Sequence, residues 1–326
     1  MPITCPVCQK HNPHLFFVRK QVPIHQNLVI ASHKEAVSIP RGNLSIAICD
    51  KCGFAFNCEF DANIEHYGSH YDNGQEWSAT FKEHTKSLKH YLLNEKSLRN
   101  KTILEIGCGQ GEFIADLVRD ANYKNKGIGL DPSYVGHSSV LNGQLQFYPV
   151  LFDADFKDVS FDVVIARHLI EHIADPMVLL AQIFECLKNA GGGRVFFETP
   201  CLEWILTNKV VWDFFHEHCS YFSASSLRTA FELTGLTVES VTHVFNNQYL
   251  WLEASVPNKA CSLIDCVVDL NPNKQNRFIP GTGHPIVDFK QLTERGVRSA
   301  ILMNPRYAEE NQALLSATNM AVTLIA

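Results

Sequence analysis

Apolar residues in the middle of the chain follow two alternating patterns. Short apolar runs predict strands over 101–106, 126–131, 147–152, 161–168 and 194–198. Apolar residues at helical spacing predict helices over 77–93, 112–121, 176–190 and 225–234. Two later segments, 236–246 and 248–256, alternate between apolar and polar residues and are typical of a hairpin. Strands that alternate with helices in this order indicate an α/β fold.

The first of these strands ends in a glycine turn that leads into the next helix. Glu105 is followed by Gly107, Gly109 and Gly111, each two residues after the last. Glycine lets a chain turn tightly and bring backbone N–H groups close to a ligand. Dinucleotide enzymes use the spacing G-x-G-x-x-G, which does not fit because Glu112 follows Gly111.

An acidic residue, Asp131, ends the second strand. A carboxylate at this position can accept hydrogen bonds from the ribose hydroxyls of an adenosine group. A carboxylate in the same position also binds the ribose of NAD, so Asp131 indicates only an adenosine ribose. The spacing of the glycines has to distinguish between the possible cofactors.

Two CxxC pairs precede the α/β region. The chain contains 11 cysteines, and Cys5, Cys8, Cys49 and Cys52 form the pairs. Two such pairs supply the four thiolates that a structural zinc ion prefers, with no coordination position left open for catalysis. The alternative is two unrelated cysteine pairs. Paired CxxC motifs indicate metal rather than disulfides, and hence a reducing compartment.

Size and charge exclude several classes of function. The 326 residues suggest about two domains of roughly 150 residues each. The net charge of −6 offers no basic footprint for nucleic acid or an anionic membrane. The N-terminal residues do not resemble a signal peptide, and no apolar run is long enough to span a bilayer. We therefore expect a cytoplasmic protein.

Histidines cluster in two segments after the fourth strand. His168 and His172 are four residues apart and would share one face of a helical turn. With Glu171 they do not form HExxH, which argues against a metalloprotease. His216, Glu217 and His218 are consecutive and flanked by aromatic residues. Histidine accepts protons near neutral pH, so we favour proton transfer over zinc binding here, although each histidine could be structural.

These segments resemble a known family. The glycine turn is similar to motif I, E-x-G-x-G-x-G, of class I S-adenosylmethionine-dependent methyltransferases. Residues 168–176 resemble the "rHvlEHi.dP" segment, and residues 212–223 the "y.hEH..YFs..sL" signature, of the zinc-binding sugar C-methyltransferases. Residues 21–27 look like that family's "vP…qN" segment, which lies against the substrate cleft. Its members methylate carbon 3 of a nucleotide-linked 4-keto-6-deoxy sugar.

The resemblance implies a fold and a domain order. It implies a class I methyltransferase Rossmann-like sheet, with a zinc-ribbon module over 1–60 and the methyltransferase domain over 61–256. Residues 257–326 resemble only the later half of the family's C-terminal α/β domain. The implied cofactors are S-adenosylmethionine and a structural zinc ion on the four paired cysteines. The implied contacts to S-adenosylmethionine are Glu105, Gly107, Gly109, Gly111, Asp131, Asp153 and His168, with Asp153 on the adenine.

The resemblance also implies catalytic roles. His218, positioned by Glu217, would remove a proton α to a ketone, and His172 and Tyr71 would hold the resulting enolate. Phe215 replaces a tyrosine that the family often has, so one phenol donor is missing. The implied partner is a small molecule, a nucleotide-sugar; the oligomeric state stays open.

Three other functions fit parts of the pattern. One is O- or N-methyl transfer to another small metabolite. The second is a non-catalytic zinc-ribbon protein that senses S-adenosylmethionine, although such a protein would have no need of Glu217, His218, His168 and His172. The third is an NAD-dependent reductase, which cofactor binding would distinguish at once.

Overall fold

The computed structural model describes residues 3–10, 13–62, 74, 77–153, 156, 159–256, 264–279, 284–317 and 322–325. The chain divides into two compact units, Met1–Asn258 and Lys259–Ala326. The domain boundaries expected after residues 60 and 256 stay predictions.

The first unit begins with a small antiparallel sheet. It contains β1 (His14–Pro23), β2 (Arg41–Ile48) and β3 (Ala55–Asn57), with the short helix α1 (His33–Val37) between the first two strands. β2 and β3 are largely buried and β1 is largely exposed, so this sheet has one edge towards solvent.

The alternating region follows in the predicted order. Its first half contains α2 (Ala79–His90), β4 (Thr102–Ile106), α3 (Glu112–Arg119), β5 (Lys126–Leu130), β6 (Ser139–Val140) and β7 (Leu145–Tyr148). Its second half contains β8 (Val163–Arg167), α4 (Pro176–Asn189), β9 (Gly193–Pro200), α5 (Leu202–Thr207), β10 (Ser220–Tyr221), α6 (Ala224–Leu233), β11 (Thr237–Val244) and β12 (Tyr249–Val256).

Eight strands form the central sheet in the order β11-β12-β9-β8-β4-β5-β7-β6. The strands from β9 to β7 are parallel, and β12 lies antiparallel between β9 and β11. This is the expected Rossmann-like sheet closed by a hairpin. Apolar residues of α2 and α3 pack in one cluster and those of α4 and α6 in another, so the sheet is covered on both faces.

Two predicted elements differ from the structure. The third strand ends at Tyr148 rather than at 152, because Val150 and Leu151 are exposed despite being apolar. The helix predicted over 77–93 begins at Ala79, after Ser78 caps it by accepting the N–H of Phe81, and continues beyond His90 as a π-helical turn over Tyr91–Glu95.

The N-terminal sheet is completed by a strand from much later in the chain. β10 pairs antiparallel with β3, which joins Ser220 to Phe56 and Tyr221 to Ala55. The cysteine-bearing segment therefore shares its sheet with the region that carries the predicted catalytic residues.

The second unit has small sheets. β13 (Val267–Val268), β14 (Arg277–Phe278) and β15 (Pro285–Val287) form one, and β16 (Ser299–Ile301) and β17 (Thr323–Ile325) form another; α7 (Ala308–Ala317) lies between the last two in sequence. Across the described part of the chain, no helix combines the length and apolar character needed to cross a bilayer.

Candidate active site

The glycine turn between β4 and α3 depends on left-handed backbone conformations. Gly107, Gly109 and Gly111 have φ angles of +71°, +55° and +83°. Gly111 is the N-cap of α3, and a Cβ atom there would lie 2.3 Å from a ring carbon of Phe147. A side chain at Gly111 is therefore excluded both by the backbone and by the neighbouring strand.

Asp131 braces this turn from the end of β5. Its Oδ2 accepts the N–H of Gly109 at 2.8 Å, and its Oδ1 accepts the N–H and hydroxyl of Ser133 at 2.8 and 2.6 Å. Each carboxylate oxygen has two lone pairs, so Asp131 retains acceptor capacity for a ligand hydroxyl.

Glu105 lies beneath the turn and is almost fully buried. Its Oε2 accepts the N–H of Ile114 at 3.1 Å, which anchors the first turn of α3. Burial raises the pKa of Glu105 to about 8, and the nearby Arg167 only partly opposes this shift. The Glu105 carboxyl is consequently protonated at neutral pH.

A cavity of about 510 Å³ opens over the glycine turn, within the usual size range of small-molecule sites. Five of the seven residues predicted to contact the cofactor line it: Glu105, Gly107, Gly109, Gly111 and His168. Asp131 and Asp153 are not among its described lining residues, although Ser133, which Asp131 holds, is. Asp153 has an exposed side chain.

A buried charge network supports the far wall of this cavity. Glu198 on β9 is fully buried and bonds to the Arg167 Nε at 2.8 Å and to the His84 Nε2. Burial alone would raise the pKa of Glu198, but Arg167 and His84 hold it at about 2. Arg167 also stacks over the Phe113 ring at 4.3 Å. This network is not predicted from the sequence, in which its local signal is a charged residue within a buried apolar strand.

A second cavity of about 360 Å³ adjoins the first, because Gly74 and His168 line both. Its other lining residues are Gln26, Asn27, Glu171, His172, Pro200, Asp213, Phe215, His218, Gln248 and Tyr249. The structure thus brings His172 and His218 together with the segment that resembles the family's cleft-lining "vP…qN" sequence.

His218 is a buried, neutral imidazole in this second cavity. Its Nδ1 has no hydrogen-bond partner in the part of the chain that the structure describes, and the backbone of Asp213 forms a hydrogen bond with the ring. Burial, followed by the nearby His172, lowers the pKa of His218 to about 3. The two imidazole rings lie 4.9 Å apart, and the Phe215 ring lies 3.9 Å from that of His218.

The segment after β8 does not form the helical turn expected to align His168 with His172. His168 has a φ angle of +51°, and a 3₁₀ turn spans Ile170–His172. The left-handed conformation of His168 is uncommon for a residue with a side chain, and such strain is often found at functional sites. His168 lines both cavities, and His172 lines the second one.

Glu171 is held within this turn. Its Oε2 accepts the Thr199 hydroxyl at 3.0 Å, and its Oε1 lies 3.5 Å from the His168 Nδ1. Burial would raise the pKa of Glu171, but His168, His172 and His218 together lower it. Glu171 is therefore the carboxylate that faces the histidine cluster.

The hydrogen bonds of Glu217 lead to the N-terminal segment. This residue is fully buried, with Oε1 3.2 Å from the His25 Nδ1 and Oε2 accepting the N–H of Gln26 at 2.7 Å. Both oxygens therefore hold the segment that lines the second cavity, and the positioning of His218 by Glu217 stays a prediction. Tyr71, the second predicted enolate partner, lies outside the described residues.

The four paired cysteines converge on one point. The Sγ atoms of Cys5 and Cys52 are 3.7 Å apart, those of Cys8 and Cys49 are 3.5 Å apart, and all four lie within 4.8 Å of one another. Sulfur atoms around a tetrahedral zinc ion with bonds of about 2.3 Å would be separated by roughly 3.8 Å. The donor set and its spacing fit a structural zinc ion.

Comparison with known protein families agrees with this arrangement. The family described as methyltransferase domain matches residues 77–241, half of the chain. The chain belongs to the methyltransferase domain family. A second family, described as C-methyltransferase C-terminal domain, matches residues 259–321 of this methyltransferase. The predicted methyltransferase fold is confirmed, and an NAD-dependent reductase does not fit a chain of this family.

Curated relatives of this methyltransferase are distant. A ubiquinone biosynthesis O-methyltransferase of Nitrosococcus oceani is 32% identical over 114 residues, which cover 33% of this chain and 48% of the relative. A probable S-adenosylmethionine-dependent methyltransferase of Mycolicibacterium smegmatis is 26% identical over 153 residues, covering 45% and 56%. The chain thus spans about half the length of these relatives.

Solved structures are similar to about half of this chain, at low sequence identity. An S-adenosylmethionine-dependent methyltransferase from Mesorhizobium loti is 13% identical, with a TM-score of 0.40, covering 53% of this chain and 100% of that chain. The CurJ carbon methyltransferase is 15% identical, with a TM-score of 0.41, covering 56% of each chain. Similarity at this level adds nothing to the family match.

Proposed function

We propose that this protein is an S-adenosylmethionine-dependent methyltransferase that methylates a carbon atom next to a ketone, in a nucleotide-linked keto-deoxysugar. One observation carries the proposal: the cavity over the glycine turn adjoins a second cavity that contains the neutral His218. The first cavity is suited to the methyl donor and the second to the acceptor, with His168 at their junction. The match to a C-methyltransferase C-terminal domain favours carbon as the acceptor atom.

The donor cavity would hold S-adenosylmethionine through backbone and carboxyl groups. The turn N–H groups would approach the cofactor, Asp131 would accept its ribose hydroxyls, and Asp153 would contact its adenine. Glu105 would lie near its α-amino group, where the positive charge favours the ionised carboxylate. When bound, the cofactor supplies an electrophilic methyl group.

His218 is the proposed base. Its Nδ1, which has no hydrogen-bond partner among the described residues, would take the proton from the carbon next to the ketone. A pKa of about 3 keeps this nitrogen unprotonated before the acceptor binds. The negative charge that develops on the acceptor, together with the Glu171 carboxylate, would then stabilise the imidazolium.

His172 is the proposed partner of the enolate oxygen, together with Tyr71. It lines the same cavity, and its ring lies 4.9 Å from that of His218. Phe215 supplies an apolar wall without a hydroxyl group, so the enolate depends more strongly on His172. An apolar wall also strengthens each remaining electrostatic interaction by lowering the local dielectric constant.

We propose that the cysteine cluster binds zinc and stabilises the fold, without contacting the substrate. A closed set of four thiolates leaves no position for substrate. Its effect on the acceptor cavity would be indirect, since Glu217 ties residues 25–26 of the N-terminal segment to the loop that carries His218. Gln26, Asn27, Asp213 and Gln248 offer polar groups for the hydroxyls of a sugar.

Proton exchange tests the carbon chemistry directly. The protein is incubated in deuterium oxide with S-adenosylhomocysteine and a panel of nucleoside-diphosphate-linked 4-keto-6-deoxyhexoses, and each sugar is examined by NMR. We expect deuterium to replace the proton next to the ketone in one sugar, which is methylated there when S-adenosylmethionine is added. Methyl transfer to an oxygen or nitrogen, without any exchange, would overturn the proposal.

O-methyl transfer is the second candidate. The curated relatives named as ubiquinone biosynthesis O-methyltransferases support it, and a neutral His218 could equally take a proton from a hydroxyl group. The position of the new methyl group, read from carbon–proton correlations in the product, separates the two candidates.

A further inference from the structure

Three metal-ligating side chains meet at the wall of the acceptor cavity. One donor atom each from Glu171, His172 and His218 lies within 4.8 Å of the other two, and all three residues line the cavity. The Nδ1 of His218 is buried and has no hydrogen-bond partner among the residues that the structure describes, while Oε1 of Glu171 has only the His168 Nδ1 at 3.5 Å. A buried acceptor atom is normally satisfied, so the His218 Nδ1 beside a carboxylate points to a missing positive ligand.

The atoms behind these side chains already orient them as a metal site requires. The Thr199 hydroxyl donates to Oε2 of Glu171, and the Asp213 backbone forms a hydrogen bond with the His218 ring. Metal-binding histidines typically use their second nitrogen in such a bond. Two imidazoles and one carboxylate suit borderline divalent ions, and with three protein ligands further coordination positions stay open.

We propose that Glu171, His172 and His218 bind a divalent cation of the zinc class in the acceptor cavity. This site is separate from the cysteine cluster and differs from it in ligand type, with nitrogen and oxygen in place of four sulfurs. Its consequence rests on the proposed function: a cation on the Nδ1 of His218 occupies the lone pair that proton removal needs. The site therefore inhibits methyl transfer and competes with the acceptor.

Cobalt spectroscopy on the unmodified protein tests the site without any substitution. Co²⁺ is titrated into protein that retains its tightly bound zinc, and the ultraviolet and visible absorption is followed. We expect one equivalent of Co²⁺ to give weak visible bands without intense thiolate charge-transfer bands. Charge-transfer bands alone would place cobalt on the cysteines and would overturn the proposal. An absence of visible bands would overturn it as well.

Variants assign the ligands. His218→Asn and Glu171→Gln are each expected to weaken Co²⁺ binding by more than about tenfold. His243→Asn is the matched control, since His243 belongs to another three-residue donor group, with Cys201 and Glu203, whose glutamate and histidine are exposed. If His243→Asn removes the cobalt bands and the other two variants keep them, the proposal fails.

The inhibitory consequence is measured separately. Excess Zn²⁺ is expected to slow methyl transfer in a manner that added acceptor relieves, while the affinity for S-adenosylhomocysteine stays within about twofold. If cobalt binds but metal has no effect on methyl transfer, the proposed inhibition fails while the proposed metal site stands. An absence of methyl transfer without added metal would instead count against the proposed function and leave the cobalt result intact.

Discussion

His25 and Glu217 form a buried hydrogen-bonded contact between positions 192 residues apart in the chain, with 3.2 Å between Nδ1 and Oε1. The second oxygen of Glu217 accepts the N–H of Gln26. The glutamate beside the proposed base thus fastens the wall of the acceptor cavity.

We expect Glu217→Ala to destabilise the fold by about 1–3 kcal/mol, because it removes the fully buried carboxylate that accepts the N–H of Gln26 and contacts His25. The free energy of unfolding, from urea denaturation, measures this effect. The exposed Glu239, changed to glutamine, is the control and should alter stability by less than about 0.5 kcal/mol. Loss of turnover at unchanged stability would instead support a direct catalytic role for Glu217.

His218→Asn should reduce deuterium exchange into the keto-sugar by about 10²–10⁴-fold, as is typical when a general base is removed. Binding of S-adenosylhomocysteine, measured by calorimetry, should persist because the donor cavity lacks this residue. Near-normal exchange in the variant would assign proton removal to another group.

Binding of S-adenosylhomocysteine at pH 7 should release a large part of one proton. Glu105 has a pKa of about 8 in the free protein, and a ligand ammonium group would favour its ionised form. Calorimetry in two buffers of different ionisation enthalpy measures the released proton. Glu105→Gln should abolish the release; release that persists in this variant would identify a different group.

Glu198 should make the protein sensitive to acid. Its pKa is about 2 instead of the ordinary 4.5, so its ionisation stabilises the fold fully above pH 4.5 and progressively less as the pH falls towards 2. The difference in unfolding free energy between the unmodified protein and Glu198→Gln should shrink by about 3 kcal/mol across this interval.

The control for this acid effect is Glu185→Gln. Glu185 is exposed on α4 and bridges to Lys188 at 3.0 Å, a surface pair that contributes little. The difference in unfolding free energy between the unmodified protein and Glu185→Gln should stay nearly constant with pH. If the difference in unfolding free energy for Glu198→Gln is equally constant with pH, Arg167 and His84 do not lower the pKa of Glu198.

Protein purified in the presence of a chelator should retain one zinc ion per chain, measured by elemental mass spectrometry. Cys49→Ser should lose the metal and lower the melting temperature, since metal binding contributes to folding free energy. Cys58→Ser is the control, because Cys58 lies just after β3 outside the cluster. Full zinc retention by Cys49→Ser would refute the proposed ligand set.

Features set by local sequence were predicted well. The glycine turn and the paired cysteines each need only a few neighbouring residues, and the structure places both as expected. Apolar runs located the strands but not every end: Val150 and Leu151 are apolar and exposed, so the third strand stops at Tyr148.

Partners that meet only in the folded chain could not be predicted. The sequence HEH suggested that Glu217 serves His218, yet its partners come from the N-terminal segment. The network of Glu198, Arg167 and His84 likewise joins three distant segments. The catalytic roles of His172 and His218 stay predictions, although the structure brings both into one cavity.

The pairing of β3 with β10 also sets an order for synthesis. The strands β1, β2 and β3 leave the ribosome long before Ser220 and Tyr221, which supply the outer strand of their sheet. A nascent chain therefore holds the N-terminal sheet with an open edge until most of the central sheet has emerged. The N-terminal sheet, although it is synthesised first, is complete only after β10 has been made.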